Sequence, residues 1–527
     1  MDVTVKILDG EYWWGGSASE TMKEVFPLGK DSVYSANLRV TGNQTMPLFL
    51  SSFGRYIYSP DPFTVDVADG EIRCKSLTGA EFFVNEGGET LRDAYLRASE
   101  AHFPFTGKVP PLKFFETAQY NTWMEFDYEQ NQEGILAYAH AIVENGYEPG
   151  ILMIDEGWHT RYGLWEFDLV KFPDPKAMVD ELHALGFTVM LWVVPNFTAD
   201  GKEFAILTIP GLSFLEGAAG DRKLFLRTDD GEVALAKWWN GVSALFNMCN
   251  EADREYLDRR LRHLMDTYGV DGFKFDGGNI CSTYHPGSIV NGSQTKYTPE
   301  ELNRAWNEFG EKYTFHEYKD TFGGGGKPTI QRLSDRSHRW GRNYGLASVL
   351  PAALMQGLIG HPFICPDMVG GGSWAANYTP GFVCDEELFV RMAECSALFP
   401  MMQFSWAPWR MLSPEYRGYC LKAARLHKEF APRILDLVRE AAVTGEPILR
   451  HMEYEYPHCG YHGIEDQFLL GSDVLVAPVL EKGAATRDVV LPRGTWLYLG
   501  REEMEGGRTV TVPAPIDVLP YFVKKEQ

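Results

Sequence analysis

Four aspartates each stand at or just after the end of an apolar run. Asp155 closes ILMID, Asp276 closes GFKFD, Asp335 follows TIQRLS, and Asp367 follows FICP. Two carboxyl groups with separated pKa values can cleave a glycosidic bond, because one attacks carbon while the other protonates the leaving oxygen. A single strand-end aspartate can equally cap the following helix. Four of them on one rim favour a catalytic site.

A lysine and several tryptophans accompany these carboxylates. Lys274 precedes Asp276 by two residues, so on a strand both side chains point to the same face. A buried lysine must be paired, and this one either keeps Asp276 ionised while binding a hydroxyl or forms a purely structural ion pair. Tryptophans such as Trp158 and Trp239 fall at predicted strand ends or in the loops after them. Indoles there could stack on a sugar ring, with burial in the core as the alternative.

Other catalytic motifs are incomplete. The run GGGGKP (323–328) has Pro328 where a phosphate loop needs Ser or Thr. Asp155, Glu156 and His159 could ligate a metal, yet no HExxH motif or second cluster accompanies them. The eight cysteines stand singly, without Cys-x-x-Cys, and we expect reduced thiols. The sequence therefore predicts neither a metal nor a cofactor.

The elements that must position these residues alternate between strand and helix. Seven or eight such steps over roughly 300 residues fit a closed (β/α)8 barrel better than an open sheet. In such a barrel, the residues that end the strands meet at one face. The predicted strands lie in FETAQYNTW, ILMID, TVMLWVVP, VDGFKFD, TIQRLSD, IGHPFICPD and MMQFSW.

Short strands separated by turn residues flank this region on both sides. The predicted fold class is therefore α/β: a (β/α)8 TIM barrel between two β-sandwich domains. We expect an N-terminal β-sandwich at residues 1–110, the barrel with insertions at 111–432, and a C-terminal β-domain at 433–527.

Composition narrows the range of partners. With 49 Lys+Arg against 72 Asp+Glu, the formal charge is −23, which argues against nucleic acid or an anionic membrane as partner. No apolar run approaches the ~18 residues of a membrane helix, and the first residues lack a secretory pattern. We expect a cytoplasmic protein that takes a small oligosaccharide or glycoside. The oligomeric state stays open, with a homo-oligomer among the alternatives.

Four stretches, in this order, resemble glycoside hydrolase family 31 over about residues 111 to 500. They are LMIDEGWH with its continuation to LWVVP, VDGFKFDGGN, DRSHRWG with its continuation to ICPDMVGG, and IEDQFLLGSDVLVAPVLEKG with its continuation to GTWLYL. The resemblance implies a barrel between β-sandwich domains and hydrolysis of α-glycosides with retained configuration, without a metal. FKFDGGN, DRSHRWG and MMQFSWAPW point to an α-galactosidase-like branch.

The resemblance also implies roles for individual residues. Asp276 corresponds to the nucleophile and Asp335 to the general acid/base. For the basic residue upstream of the acid/base, the chain offers Lys319 or Arg332. The residues predicted to bind substrate are Asp155, Trp158, Trp239, Lys274, Lys319, Arg332 and Asp367.

The sequence thus predicts a retaining, exo-acting α-glycosidase, with galactose as the first choice of sugar. Glucose, xylose or a sulfonated sugar are the alternatives, and a transglycosylase would use the same residues. A carbohydrate-binding protein without activity is disfavoured because both carboxylates are present. Retention requires the two carboxyl groups to lie about 5–5.5 Å apart.

Overall fold

The computed structural model describes residues 1–22, 26–209, 224–278, 286–293 and 296–525, and it begins with a two-sheet β-domain. One sheet has the order β1-β7-β6-β3, and the other contains β4, β5 and β8, with β2 paired to β4. The elements of this domain are β1 (Asp2–Lys6), β2 (Trp13–Ser17), β3 (Tyr34–Leu38), β4 (Gln44–Ser51), β5 (Tyr56–Tyr58), β6 (Phe63–Ala68), β7 (Glu71–Ser76), β8 (Phe83–Asn85) and α1 (Leu91–His102).

The central region alternates strands and helices. Its first half contains α2 (Lys113–Glu116), β9 (Gln119–Asn121), α3 (Trp123–Phe126), α4 (Gln132–Glu144), β10 (Ile151–Ile154), α5 (Pro175–Ala184), β11 (Thr188–Val193), β12 (Asn196–Thr198), α6 (Lys202–Thr208), β13 (Leu235–Trp238), β14 (Gly241–Leu245), α7 (Glu251–Tyr268) and β15 (Gly272–Phe275). Its second half contains α8 (Pro299–Gly310), β16 (Phe315–Tyr318), β17 (Thr321–Phe322), β18 (Ile330–Arg332), α9 (Val349–Leu358), β19 (Ile364–Cys365), β20 (Met368–Val369), α10 (Glu386–Ala397), β21 (Gln403–Phe404), α11 (Pro408–Met411) and α12 (Pro414–Thr444).

Parallel pairing closes the central strands into a barrel. The sheet order is β19-β18-β16-β15-β11-β10-β9-β21-β20, with every pair parallel. Its two ends, β19 and β20, are successive parts of one strand, interrupted at Pro366 and Asp367, where Asp367 has φ +81°. Eight strands therefore form the ring, which confirms the predicted (β/α)8 barrel with β-domains on both sides.

One barrel strand escaped the sequence analysis. Strand β16 is FHEY, and its buried His316 and Glu317 give it no apolar run. His316 is accommodated because its ring nitrogens lie 2.8 Å from the Tyr313 carbonyl and 3.1 Å from the Thr329 hydroxyl. The strand matters for the site, because Lys319 is the residue that follows it.

Local sequence explains where the barrel helices begin and end. Asp174 caps α5 by accepting from the amide of Ala177, and Pro175 occupies the first turn, where no backbone donor is needed. Helix α7 ends at Gly269, whose φ of +83° is the left-handed conformation that glycine adopts without strain. These caps return the chain to the next strand of the barrel.

The N-terminal domain joins the barrel directly. Strand β17 pairs in parallel with β4, so the sheet of one domain continues into the other. Gln44, at the start of β4, donates from Nε2 to the backbone carbonyls of Lys319 and Arg332, at 2.5 and 3.0 Å. Asn43 bonds both the amide and the hydroxyl of Ser334, at 2.6 and 2.9 Å. The backbone of two predicted site residues, Lys319 and Arg332, and of Ser334, which precedes Asp335, is thus tied to the N-terminal sheet.

A long helix spans the predicted boundary between the barrel and the C-terminal domain. Pro432, the last residue of the predicted barrel domain, lies inside α12, which continues to Thr444, and the next strand starts at Leu449. A proline inside a helix removes one backbone hydrogen bond and crowds the carbonyl four residues earlier, but buried residues on both sides of it, such as Ala431 and Ile434, keep this long helix packed. The strands expected directly after Pro432 therefore begin only after this helix.

The C-terminal elements form a six-stranded sheet, β22-β23-β24-β29-β26-β27, and a separate pair, β25 and β28. They are β22 (Leu449–Arg450), α13 (Met452–Glu455), β23 (Phe468–Leu470), β24 (Val474–Val476), β25 (Thr486–Leu491), β26 (Thr495–Tyr498), β27 (Glu502–Glu505), β28 (Arg508–Pro513) and β29 (Tyr521–Lys524).

Two sequence expectations concern the chain as a whole. Within the described ranges, no helix has the length and apolar character that a membrane crossing needs. The seven cysteines in those ranges carry free thiols, while Cys281 lies outside them.

Candidate active site

A small cavity lies at the C-terminal ends of the barrel strands. Its volume is about 160 Å³, and charged and aromatic side chains line it. A larger cleft of about 680 Å³ lies between the N-terminal domain and residues 453–462, but no barrel strand end reaches it. The lining residues of the smaller cavity are Trp123, Tyr128, Asp155, Glu156, Trp192, Trp239, Lys274, Asp276, Lys319, Arg332, Asp335 and Met368.

Asp276, directly after β15, is held by donors on both carboxylate oxygens. Trp192 Nε1 donates to Oδ2 at 3.0 Å, and the Gly277 amide donates to Oδ1 at 2.9 Å. Lys319 Nζ lies 3.1 Å from Oδ1. Burial would raise the pKa of Asp276, but the charges of Lys319, Lys274 and Arg332 outweigh it, and the pKa lies well below its usual range. The carboxylate is ionised and directed at the cavity.

Asp335 faces the same cavity from the loop after β18, and its side chain is 37% exposed. Lys319 Nζ lies 3.9 Å from its Oδ1 and 3.1 Å from Oδ1 of Asp276, so these two oxygens are at most about 7 Å apart. That upper limit is compatible with the separation of about 5–5.5 Å between the two carboxyl groups of retaining glycosidases. Burial raises the pKa of Asp335, yet Lys319 and Arg332 more than offset it, and the pKa is lowered.

Arg332 supports the site from below. Its guanidinium is 1% exposed and contacts three carboxylates: Glu317 at 3.3 Å, Asp335 at 3.0 Å and Asp367 at 2.5 Å. Lys319 and Arg332, between which the sequence could not choose, therefore both belong to the site. Lys319 bridges the two candidate catalytic carboxylates, whereas Arg332 connects one of them to the buried acids behind it.

Asp155 and Lys274 form a buried ion pair on the cavity wall. Lys274 Nζ lies 2.6 Å from Asp155 Oδ2, which also accepts from Asn121 Nδ2 at 2.7 Å. Both residues line the cavity, and the charge of Lys274 also favours the ionised form of Asp276. Lys274 is thus ion-paired and also stabilises the carboxylate two residues away, while its contact with a sugar hydroxyl stays a prediction.

Two predicted substrate contacts lie outside the cavity lining. Trp158 is fully buried, and its Nε1 donates to the backbone carbonyl of Trp192 at 2.9 Å. Asp367 is 1% exposed and accepts from Arg332 and from the amide of Arg336. Both support residues of the cavity wall, and a direct sugar contact by either stays a prediction.

The structure adds residues that the sequence analysis did not select for the sugar pocket. Glu156 lines the cavity next to Asp155, and Tyr128 reaches it from the loop after α3. Trp123, one of the barrel tryptophans considered for stacking on a sugar, also lines the cavity, from the start of α3. Glu156 was weighed only as a metal ligand, although its place one residue beyond a strand end also fits the pocket rim. No pattern marked Tyr128, because only the folded loop brings it to this rim. Among the described residues, no group of three or more His, Cys, Asp or Glu side chains could hold a metal ion.

Comparison with known proteins links most of the chain to one family. The family model "Glycosyl hydrolases family 31 TIM-barrel domain" matches residues 108–437, and "Glycosyl hydrolase family 31 C-terminal domain" matches residues 445–527. The chain is 33% identical over 436 residues to the mouse (Mus musculus) protein named myogenesis-regulating glycosidase. The aligned region covers 80% of this chain and 58% of the mouse protein. It is 26% identical over 387 residues to an isomaltosyltransferase of Sporosarcina globispora, covering 67% and 33%.

A solved structure shares the fold. The dextranase of family 31 from Flavobacterium johnsoniae, determined in complex with glucose, superposes with a TM-score of 0.82 at 19% identity. The match covers 100% of this chain and 66% of the dextranase chain. This chain thus spans between a third and two thirds of the length of these relatives.

Proposed function

The chain belongs to glycoside hydrolase family 31, and on that premise we propose that it hydrolyses terminal α-linked glycosides with retention of configuration. One observation carries this proposal: two carboxyl groups, at most about 7 Å apart, face a single cavity at the C-terminal face of the barrel. Asp276 is the nucleophile and Asp335 the general acid/base.

The charges around Asp276 fit the role of a nucleophile, and the first step also requires the protonated form of Asp335, whose pKa is lowered in the free protein. Asp276, kept ionised by Lys319 and Lys274, attacks the anomeric carbon while the proton of Asp335 passes to the departing oxygen. The resulting glycosyl ester removes the negative charge of Asp276, a charge that raises the pKa of Asp335. The pKa of Asp335 is therefore lower in the intermediate than in the free protein. Its carboxylate remains ionised and can take a proton from the attacking water.

The size of the cavity supports action at a chain end. A volume of about 160 Å³ is well below the ~300 Å³ from which pockets for drug-sized ligands begin. It accommodates about one sugar ring, with Asp335 at the more open side. A single terminal residue would enter, and the remainder of the substrate would stay outside.

We propose galactose as the sugar in this cavity. The motifs FKFDGGN, DRSHRWG and MMQFSWAPW support it, as features of an α-galactosidase-like branch. A panel of p-nitrophenyl α-glycosides of galactose, glucose, xylose and sulfoquinovose tests the choice. We expect the highest kcat/KM with the α-galactoside; release from another glycoside, with none from the α-galactoside, would refute galactose while leaving the mechanism intact.

Lys319 gives the pH dependence a definite sign. Its charge favours the ionised form of Asp335, whose acid form must be present in the first step. With a substrate whose leaving group is a sugar, activity should fall as the pH rises above the lowered pKa of Asp335. Lys319→Met raises that pKa, so the alkaline limb of the kcat/KM profile moves to higher pH. Lys319→Arg keeps a cation and should leave the limb near its original position; an unmoved limb in Lys319→Met would contradict the assignment.

Transfer to a sugar acceptor is a second candidate activity, favoured by the relative named isomaltosyltransferase. The same glycosyl ester would be intercepted by a hydroxyl instead of water. Product analysis at increasing sugar concentration separates the two: a hydrolase releases free sugar throughout, whereas a transferase accumulates longer glycosides.

A further inference from the structure

Glu156 differs from the other three carboxylates that line the cavity. Asp155, Asp276 and Asp335 each contact a lysine or arginine within 4.0 Å. Among the described residues, Glu156 forms no such ion pair, although its side chain is only 3% exposed. A buried carboxyl without a cation is more stable in its neutral form.

The hydrogen bonds of Glu156 are concentrated on one oxygen. Oε1 accepts from Tyr162 at 2.8 Å and Asn240 Nδ2 at 2.5 Å, and more distantly from Trp239 Nε1 at 3.3 Å. In the part of the chain that the structure describes, Oε2 accepts only from the Trp239 indole, at 3.1 Å. Because three donors occupy Oε1, Oε2 is the oxygen that can carry the proton. From there the protonated group can donate a hydrogen bond to a ligand in the cavity.

These hydrogen bonds also fix the position of the Trp239 side chain. Trp239 and Asn240 form the tip of the β13–β14 hairpin, in the sheet inserted after β11, and the Trp239 side chain is 43% exposed. Glu156 and Tyr162 are the barrel-side groups that hold this tip, because Asn240 also donates to the Tyr162 hydroxyl at 2.7 Å. The tip of the hairpin is thereby fixed as one wall of the cavity.

We propose that Glu156 is a further substrate-binding residue, a neutral carboxylic acid that donates a hydrogen bond from Oε2 to a sugar hydroxyl while anchoring Trp239 against the ring. The proposal rests on the proposed function, since it needs a sugar in this cavity. The inserted hairpin would then take part in substrate recognition through Glu156, which is uncharged at neutral pH.

The surroundings of Glu156 fit this state. Burial raises the pKa of Glu156 to about 8, although the hydrogen bonds from Tyr162 and Trp239 act in the opposite direction. The neighbouring charges of Asp155 and Asp276 add to the rise. Above that pKa, Glu156 would ionise. It would then no longer donate a hydrogen bond, and its negative charge would repel the carboxylate of Asp276. The titratable groups facing Glu156 are Asp155, Asp276, Tyr128 and Tyr162, with Lys274 and Lys319 already paired to the two aspartates.

The kinetic test uses α-galactosyl fluoride, whose leaving group needs no proton from Asp335. We expect kcat/KM of the unaltered protein to fall above about pH 8, the pKa of Glu156. E156Q, which keeps an uncharged donor, should lack this fall. At pH 6, E156A should lose about tenfold relative to E156Q, as expected for one hydrogen bond. An alkaline fall that persists in E156Q, or equal activities of E156Q and E156A, would overturn the proposal.

A substrate-free measurement separates this inference from the proposed function. Infrared difference spectra between pH 6 and pH 10 should contain several protonated-carboxyl bands, because burial also raises the pKa of Asp253, Glu317 and Glu394. One of these bands should be absent from E156Q and retained in Glu308→Gln, which alters a side chain 66% exposed. Retention of every band in E156Q would refute the neutral acid even if the protein hydrolyses α-glycosides. The loss of one band in E156Q, without any glycosidase activity, would instead count against the proposed function alone.

Discussion

Asp276→Ala is expected to lower kcat by about 10⁴-fold or more, the scale on which a nucleophile contributes when its removal leaves the rest of a site intact. Asp276 alone among the cavity carboxylates combines a strongly lowered pKa with donors on both oxygens. Alanine also leaves a gap on the side from which the nucleophile attacks. Azide should enter that gap and restore turnover of α-galactosyl fluoride, with β-galactosyl azide, the inverted product, as the signature.

The control for this experiment is Asp436→Ala, on the outer side of α12, where the aspartate side chain is 77% exposed. It should hydrolyse the fluoride at the rate of the unaltered protein. Full activity of Asp276→Ala, or an azide product of α configuration, would remove Asp276 from the role of nucleophile.

Asp335→Ala is expected to act according to the leaving group. Hydrolysis of a glycoside with a sugar aglycone should fall by about 10²–10⁴-fold, the usual contribution of a general acid. The first step with α-galactosyl fluoride should change far less, because fluoride departs without a proton. In this variant the Asp276 ester still forms, so added azide intercepts it and yields α-galactosyl azide, with retained configuration.

The anomer of the azide therefore distinguishes the two roles within one pair of variants. Equal losses of Asp335→Ala on the fluoride and on the sugar aglycone would contradict the acid/base assignment. Asp367→Asn is a useful comparison, because Asp367 contacts the same arginine but lies outside the cavity lining. Its effect should not depend on the leaving group.

The barrel was predictable because its strands are short apolar runs and its helices carry recognisable caps. Strand β16 shows where that reasoning fails, since His316 and Glu317 are buried by pairing with groups distant in sequence. The end of α12 shows a second limit: a proline usually ends a helix, yet packing on both sides of Pro432 carries this one to Thr444.

The site was predictable to the extent that strand ends converge. Asp155, Lys274, Asp276 and Asp335 lie together as the positions of their strands imply. Whether Lys319 or Arg332 reaches the carboxylates depends on register and side-chain direction, and both do so in different ways. The sequence did not show that Trp158 is buried and Trp239 exposed. The difference arises in the fold, where the inserted hairpin carries Trp239 at its tip.

The contacts of Asn43 and Gln44 have a consequence for how the protein could be altered. Through these two side chains, the turn before β4 bears on the backbone of Lys319, Arg332 and Ser334. The N-terminal sheet therefore supports the proposed catalytic centre, and chimeras that exchange it between relatives would have to preserve this turn and the start of β4. A graft that shortened this turn would lower activity by displacing the backbone of Lys319 and Arg332, although it would alter no residue that lines the cavity.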